Sequence, residues 1–267
     1  MHPVILDLGG WQLTSYGLAL MLAFAFGMEL GVLRARRHGL AAEPVLGLTI
    51  VIVVSSILGS RIFFALNAPV PGASLLEALN PLAGGSATVG LSVMGGLPAA
   101  LLCAWLYLRA RGLPVLAYMD LLAPSVAFGA GITRIGCFAN GCCHGVVCDW
   151  PWAVRFPVGS LPHTNLGDVA VHPTQLYQSL AGFAIGFGLL AFARRKPPAG
   201  SVVSALVCAW GVQRLVVEAF RFHQGGEVWF RLGDGVVSVY QGVALGLILV
   251  GAAGLVASRR STRATTA

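Results

Sequence analysis

The chain has 267 residues, 57% of them hydrophobic and only 10% charged, where a soluble domain carries about 25% charged residues. That composition excludes an ordinary soluble enzyme. The formal net charge of +7 would suggest nucleic acid on a soluble chain, but here it falls in short clusters at the ends of apolar runs, which argues for a membrane protein and against nucleic-acid binding.

A bilayer-spanning helix needs about 20 mostly apolar residues. Seven stretches qualify, near residues 13–33, 44–66, 89–109, 116–134, 174–193, 202–221 and 238–257. The expected fold is therefore an all-α membrane protein, a seven-transmembrane-helix bundle. Little chain is left for a soluble domain, so residues 1–267 are expected to form a single polytopic domain. Outside its spans lie a loop region at 135–173 and a polar tail at 258–267. The N-terminal segment MHPVILDLGGWQLTSYG has no lysine or arginine, which argues against a secretory signal with a basic n-region; span one is expected to stay in the mature protein.

Eleven of the seventeen basic residues form four clusters: Arg34, Arg36 and Arg37; Arg109 and Arg111; Arg194, Arg195 and Lys196; Arg259, Arg260 and Arg263. These follow spans one, three, five and seven. By the positive-inside rule the N-terminus lies outside, the C-terminus in the cytoplasm, and the 67–88, 135–173 and 222–237 loops on the outer face.

Six arginines lie outside those clusters: Arg61, Arg134, Arg155, Arg214, Arg221 and Arg231. An arginine at membrane depth costs about 2.5–3.5 kcal/mol on insertion scales, so Arg134 inside the apolar run of span four needs an anionic partner or a wet cavity. With the orientation above, Arg61, Arg134, Arg214 and Arg221 come from three spans at similar depth near the outer leaflet. Guanidinium groups are planar, bidentate donors suited to phosphate, and the constellation suggests an anionic headgroup. The competing account is snorkelling to lipid phosphates. Glu218 is four residues after Arg214 and three before Arg221, which places all three on one face of a helix, and it is expected to neutralise and orient the arginines. Asp120, near the start of span four, is expected to cap or pair a helix.

After span four, FGAGITRIGCFANGCCHG opens into a segment dense in cysteine and histidine: Cys137, Cys142, Cys143, His144 and Cys148. Soft ligands this close together suit zinc or copper. Disulfides such as Cys137 or Cys142 with Cys148, and a reactive thiol, are the alternatives on an oxidising outer face. Cys103 and Cys208 lie inside spans and read as packing residues. The segment 146–171, with Trp150 and Trp152, reads as a short surface hairpin anchored at headgroup level. VHPTQLYQ at 171–178 opens span five: Pro173 suits a first helical turn, and His172, Gln175 and Gln178 sit at the membrane edge or beside the bundle.

These residues carry a family resemblance. ITRIGCFANG at 132–141 resembles the G-R-[IL]-G-N-F-x-N-G signature of bacterial prolipoprotein diacylglyceryl transferases. SYGL at 15–18, LGSRIFF at 58–64, VGLSVMGG at 89–96, MDLLAP at 119–124, HPTQLYQ at 172–178 and QRLVVEAFR at 213–221 follow in the family's order. The resemblance implies transfer of the diacylglyceryl group of phosphatidylglycerol to the lipobox cysteine thiol of a prolipoprotein, releasing glycerol phosphate. It implies a multi-pass protein of the bacterial inner membrane with its active site outward and no cofactor. By position, Arg134 matches the family's phospholipid-binding arginine and Arg214 its second essential one; Tyr16, Arg61, Gln175, Tyr177, Glu218 and Arg221 also fall on motif positions. Where the family has S-F-H-G-G, with the histidine as base toward the incoming thiol, this chain reads SVMGG, with Met94; Cys137 and Cys142 replace the signature's asparagine and the following glutamate. The expected substitutes for the base are His144 or His172, or the arginine field acting alone on the thiol. Two alternatives stand beside this one. The first is a related lipid-group transferase using Cys142 or Cys143 as nucleophile; the second is a non-enzymatic membrane protein with a metal or redox disulfide at 137–148.

Overall fold

The computed structural model describes residues 3–7, 12–67, 93–222, 228–232 and 235–266. In chain order its elements are β1 (Val4–Asp7), β2 (Gln12–Thr14), α1 (Ser15–Arg37), α2 (Glu43–Asn67), α3 (Val93–Ala110), α4 (Val115–Asn140), β3 (Val154–Arg155), α5 (Leu161–Leu166), β4 (Ala170–Val171), α6 (Thr174–Ala193), α7 (Ser201–Glu218), β5 (Val228–Leu232), β6 (Gly235–Ser238) and α8 (Val239–Thr266). Among the described residues the strands pair as short antiparallel ribbons, β1 with β2, β3 with β4 and β5 with β6, and Val171 of β4 also bridges Val147.

Among the described residues six helices are long and apolar enough to cross a bilayer: α1, α2, α4, α6, α7 and, over Val239–Arg260, α8; Met94–Ala110 is a shorter apolar helix. Large apolar side chains stand exposed along them, among them Leu180, Phe187, Leu249 and Val250. A soluble protein would leave such residues against water as a broad apolar patch; lipid tails are their natural solvent. The protein is thus a mostly helical, multi-pass membrane protein. The 67–88 loop beyond its first residue, the first residues of the expected third span (89–92) and part of the 222–237 loop lie outside the described residues.

The chain packs as two units. One holds the β1–β2 ribbon, α1 as far as Gly27, and everything from Met119 onward. Thr14 Oγ1 accepts the Gly17 N–H at 3.0 Å and starts α1 as an N-cap. Phe128 of α4 meets Phe26 of α1 edge-on at 5.6 Å and Phe187 of α6 at 5.0 Å. Along the α4–α6 seam, Ser179 Oγ donates to the Gly131 carbonyl at 2.9 Å, the small-residue contact by which membrane helices approach closely. Toward the other end Ala123, Ala127, Leu189, Ala193, Val202 and Leu206 form the core. Asp120 caps a helix other than its own: its carboxylate accepts the Gly200 N–H at 2.7 Å and the Val203 N–H at 2.8 Å, at the start of α7.

The second unit runs from Met28 to Tyr118. Here α2 and α3 touch where Gly59 faces Gly95 and Ser60 faces Gly96, and a side chain at any of the three glycines would strike the facing helix. Arg61 is buried on α2 and Met94 is half exposed at the start of α3. The Tyr118 hydroxyl donates to the Ala41 carbonyl at 2.9 Å. Arg111 and Glu43 pair at 3.3 Å, both well exposed, and contribute little on that account.

Three boundaries differ from the hydropathy reading. Helix α4 runs six residues past Arg134, so Cys137 belongs to the helix and not to the loop. Gly136 does not break it; α1 packs close there, so that a Cβ on Gly136 would lie 3.2 Å from the Tyr16 Cα, and the stop comes at Gly141 in the left-handed region (φ 71°). Helix α7 ends at Glu218 rather than 221, and Arg221 is drawn into an antiparallel bridge with Gly145. Arg214 and Glu218 therefore share a helical face, whereas Arg221 stands beyond it. The polar tail continues α8 through Thr266; it contains no glycine or proline to stop it, and its arginines suit a helix C-terminus. The 146–171 segment is a β3–β4 pair, Val154 opposite Val171, with α5 inserted between the strands.

Candidate active site

Arg134 and Arg214 approach from the C-terminal parts of α4 and α7 and line one cavity of about 40 Å³, with Gln178, Trp210 and Gln213 also in its wall. That is room for about one or two waters at roughly 30 Å³ each. A wet recess of this kind is what an arginine within an apolar run requires.

The i, i+4 spacing brings Glu218 one turn above Arg214, and Arg214 Nη2 meets Glu218 Oε2 at 2.9 Å. Glu218 is only 1% exposed, so its charge needs further support. Ser238 supplies it, donating from Oγ to Glu218 Oε1 at 2.8 Å from the start of α8. Two residues on, the Tyr240 ring lies 4.5 Å from the Arg214 guanidinium and 5.5 Å from that of Arg221, both within cation–π range. Arg134, on the same cavity wall, and Arg221, over the same ring, thus join Arg214 around one paired carboxylate, and the excess positive charge favours an anion.

Beyond α4 the chain makes a tight reversal, with Gly141 and Cys143 at φ 71° and 61°. A left-handed φ at a non-glycine residue is uncommon and must be held in place. The start of α6 holds it: Gln175 Nε2 donates to the Cys142 carbonyl at 2.6 Å and Thr174 Oγ1 to the Cys143 carbonyl at 2.7 Å. Gly145 N–H then donates to the His172 carbonyl at 2.9 Å, and Val146 N–H to the Phe220 carbonyl at 3.0 Å. A Cβ on Gly145 would lie 2.7 Å from the His172 Cβ, which is why glycine stands there. The reversal gathers three sulfurs: the Sγ atoms of Cys137, Cys142 and Cys143 all lie within 4.8 Å of one another. Among the described residues all six cysteines are free thiols, and neither Cys148 nor His144 joins the group. Cys142 Sγ donates to the Cys137 carbonyl at 3.6 Å; the neighbouring Cys137 and Cys142 thiols, with Arg134 and Arg221 acting through space, hold the Cys143 thiol below the ordinary thiol range. The Tyr16 phenol feels the same three sulfurs and Arg134.

The two histidines expected as bases are both tied into the scaffold. His144 donates from Nδ1 to the Gly145 carbonyl at 2.9 Å, faces Asn165 Nδ2 with Nε2 at 3.4 Å, and stacks on Phe222 at 5.1 Å. The Trp152 indole N–H donates to the Tyr177 hydroxyl at 2.8 Å, and that hydroxyl is hydrogen-bonded to His172 Nδ1 at 3.0 Å. Trp150 and Phe220 close around the His172 ring at 5.4 and 5.1 Å. Both rings are thus hydrogen-bonded and stacked into the scaffold.

One unit therefore brings together Tyr16, Arg134, Gln175, Tyr177, Arg214, Glu218 and Arg221; Arg61, buried, belongs to the other. Sequence reading missed Trp210, Gln213, Ser238 and Tyr240. Gln213, adjacent to Arg214 and inside an apolar run, was the one with a signal.

Residues 3–257 match the family model described as prolipoprotein diacylglyceryl transferase. A protein of Clostridium tetani is 30% identical over 251 residues, covering 94% of this chain and 95% of its own. One of Serratia proteamaculans is 31% identical over 269 residues (93% and 90%), and one of Geobacter sulfurreducens 33% over 230 residues (83% and 82%). All three are named phosphatidylglycerol–prolipoprotein diacylglyceryl transferase. The matched range includes the segments that supply the arginines, the cysteine reversal and the HPTQLYQ turn, and the chain belongs to the prolipoprotein diacylglyceryl transferase family.

Proposed function

We propose that this protein transfers the diacylglyceryl group of phosphatidylglycerol to the lipobox cysteine thiol of prolipoproteins, releasing glycerol phosphate. The observation that carries the reading is the pair Arg134 and Arg214, from separate helices, on the wall of one cavity. The phosphodiester of the lipid is held by their guanidinium groups, with Arg221 adding positive charge. The acceptor sulfur attacks the glycerol carbon that bears the phosphate ester, the C–O bond breaks, and the electron pair leaves on the phosphate oxygen. Donors already fixed around that oxygen lower the barrier without reorganising. Glu218, Ser238 and Tyr240 fix Arg214, while His144, His172, Gln175 and Tyr177 position the reversal and the α6 start.

The protein is read as a seven-span protein of the bacterial cytoplasmic membrane, N-terminus out, with Met94–Ala110 belonging to span three. Tyr16 starts α1, Gln175 starts α6, Tyr240 starts α8, and Arg134 and Arg214 lie toward the ends of α4 and α7. The basic clusters Arg34–Arg37, Arg194–Lys196 and Arg259–Arg263 lie at or beyond the opposite ends of α1, α6 and α8. With those clusters cytoplasmic, the site opens outward, where signal peptides carrying a lipobox arrive.

The test is complementation of bacterial cells depleted of their own transferase. The unmodified protein restores lipoprotein modification and growth, whereas Arg134→Ala and Arg214→Ala do not, although both reach the membrane. Full rescue by either variant would refute the phosphate-binding role.

A further inference from the structure

We propose that Cys137, Cys142 and Cys143 form a trithiolate zinc site whose fourth position takes the incoming acceptor thiol. The purpose assigned to the metal rests on the transfer reaction proposed above; the site itself rests on geometry.

Zinc–sulfur bonds of about 2.3 Å require sulfur–sulfur separations of roughly 3.8–4.0 Å. The three Sγ atoms already lie within 4.8 Å of one another, within about 1 Å of that spacing. They come from the last turn of α4 and the reversal after it. The backbone carbonyls of Cys142 and Cys143 are anchored by Gln175 and Thr174, which leaves the side chains of a strained, left-handed Cys143 aimed at their neighbours. The nearest conventional fourth ligand, His144, is turned away, its ring nitrogens on the Gly145 carbonyl and Asn165. Three protein ligands and an open position are the pattern of a catalytic zinc, whereas four close a structural one. Charge agrees: three thiolates and one Zn(II) carry a net charge of −1, and Arg134 and Arg221 act on this cluster.

The chemistry supplies what the chain otherwise lacks. Met94 stands where a histidine base is expected, and His144 and His172 are both hydrogen-bonded into the scaffold. A thiol that coordinates a metal is deprotonated outright. The acceptor R–SH binds zinc through sulfur and gives its proton to water. The bound sulfur's electron pair then forms the S–C bond to the glycerol carbon as the C–O bond breaks, and glycerol phosphate departs with that bond's electrons. The thioether is a poor ligand and leaves, and zinc remains Zn(II) throughout.

The experiment uses full-length protein purified in detergent, desalted and analysed for total metal. The unmodified protein carries stoichiometric zinc; Cys142→Ser and Cys137→Ser lose it and fall about 10²- to 10⁴-fold in transfer, the usual worth of a proton-transfer group. Cys148→Ser, outside the cluster, keeps both. Should a serine variant fail to fold, chelation and zinc re-addition on the unmodified protein gives the same loss and recovery. Cobalt(II) substituted for zinc shows thiolate-to-cobalt charge-transfer absorption that shifts with a lipobox peptide and not with its Cys→Ser counterpart. Transfer by metal-free protein, copper in place of zinc, a disulfide among the three cysteines, or a cobalt spectrum indifferent to the peptide thiol would each overturn the zinc site. A zinc site that responds to the thiol in a protein with no lipid transfer would leave this inference standing and remove the reaction proposed above.

Discussion

Replacing Glu218 by glutamine separates orientation of Arg214 from binding of the lipid. The substitution keeps the side-chain volume and an acceptor for Ser238 Oγ, and removes one negative charge 2.9 Å from Arg214 Nη2. A hydrogen bond between charged groups contributes about 1.5–3 kcal/mol. If that energy serves to hold the guanidinium where phosphate charge develops, its loss appears in the transition state, as a fall of about 10- to 150-fold in kcat at 1.36 kcal/mol per decade. The KM for phosphatidylglycerol stays level or drops, because the site becomes more positive. The assay is release of glycerol phosphate from phosphatidylglycerol in mixed micelles with a lipobox peptide, using variants whose thermal unfolding has been recorded. A raised KM with kcat unchanged would mean that Glu218 acts on substrate binding and not through Arg214, and would refute the reasoning.

Arg214→Lys keeps a charge within reach of Glu218 but loses the planar face 4.5 Å from Tyr240; kcat/KM falls about 3- to 30-fold for a contact of roughly 0.5–2 kcal/mol. Parent-like kinetics would show that the fork and the ring are immaterial. Asp120→Ala strips the N–H groups of Gly200 and Val203 of their acceptors and costs about 1–2 kcal/mol of stability. It reads out as a lower unfolding temperature in detergent, with activity per folded molecule unchanged. Gly145→Ala forces a Cβ to within 2.7 Å of the His172 Cβ and 2.8 Å of its carbonyl oxygen, an overpacking cost of about 1–3 kcal/mol. Loss of thermal stability together with transfer is expected, and a parent-like melting curve would contradict the close packing described.

Hydropathy and charge are local quantities, and they carried the helices: each apolar run forms a helix within a few residues of where composition places it, because a lipid-facing backbone has no other way to satisfy its hydrogen bonds. The same local rules made Arg134 and Arg214 conspicuous, since a charge inside an apolar run is costly wherever the helix packs. What they could not decide was company. That Tyr240 lies beside two arginines, that Ser238 supports Glu218, that Asp120 caps a helix eighty residues away and that both histidines are hydrogen-bonded into the scaffold all depend on how α1, α4, α6, α7 and α8 pack. Cys137 joined Cys142 and Cys143 only because α4 continues past Gly136, where α1 packs close. Side chains far apart in the chain meet through helix packing, which no single segment encodes.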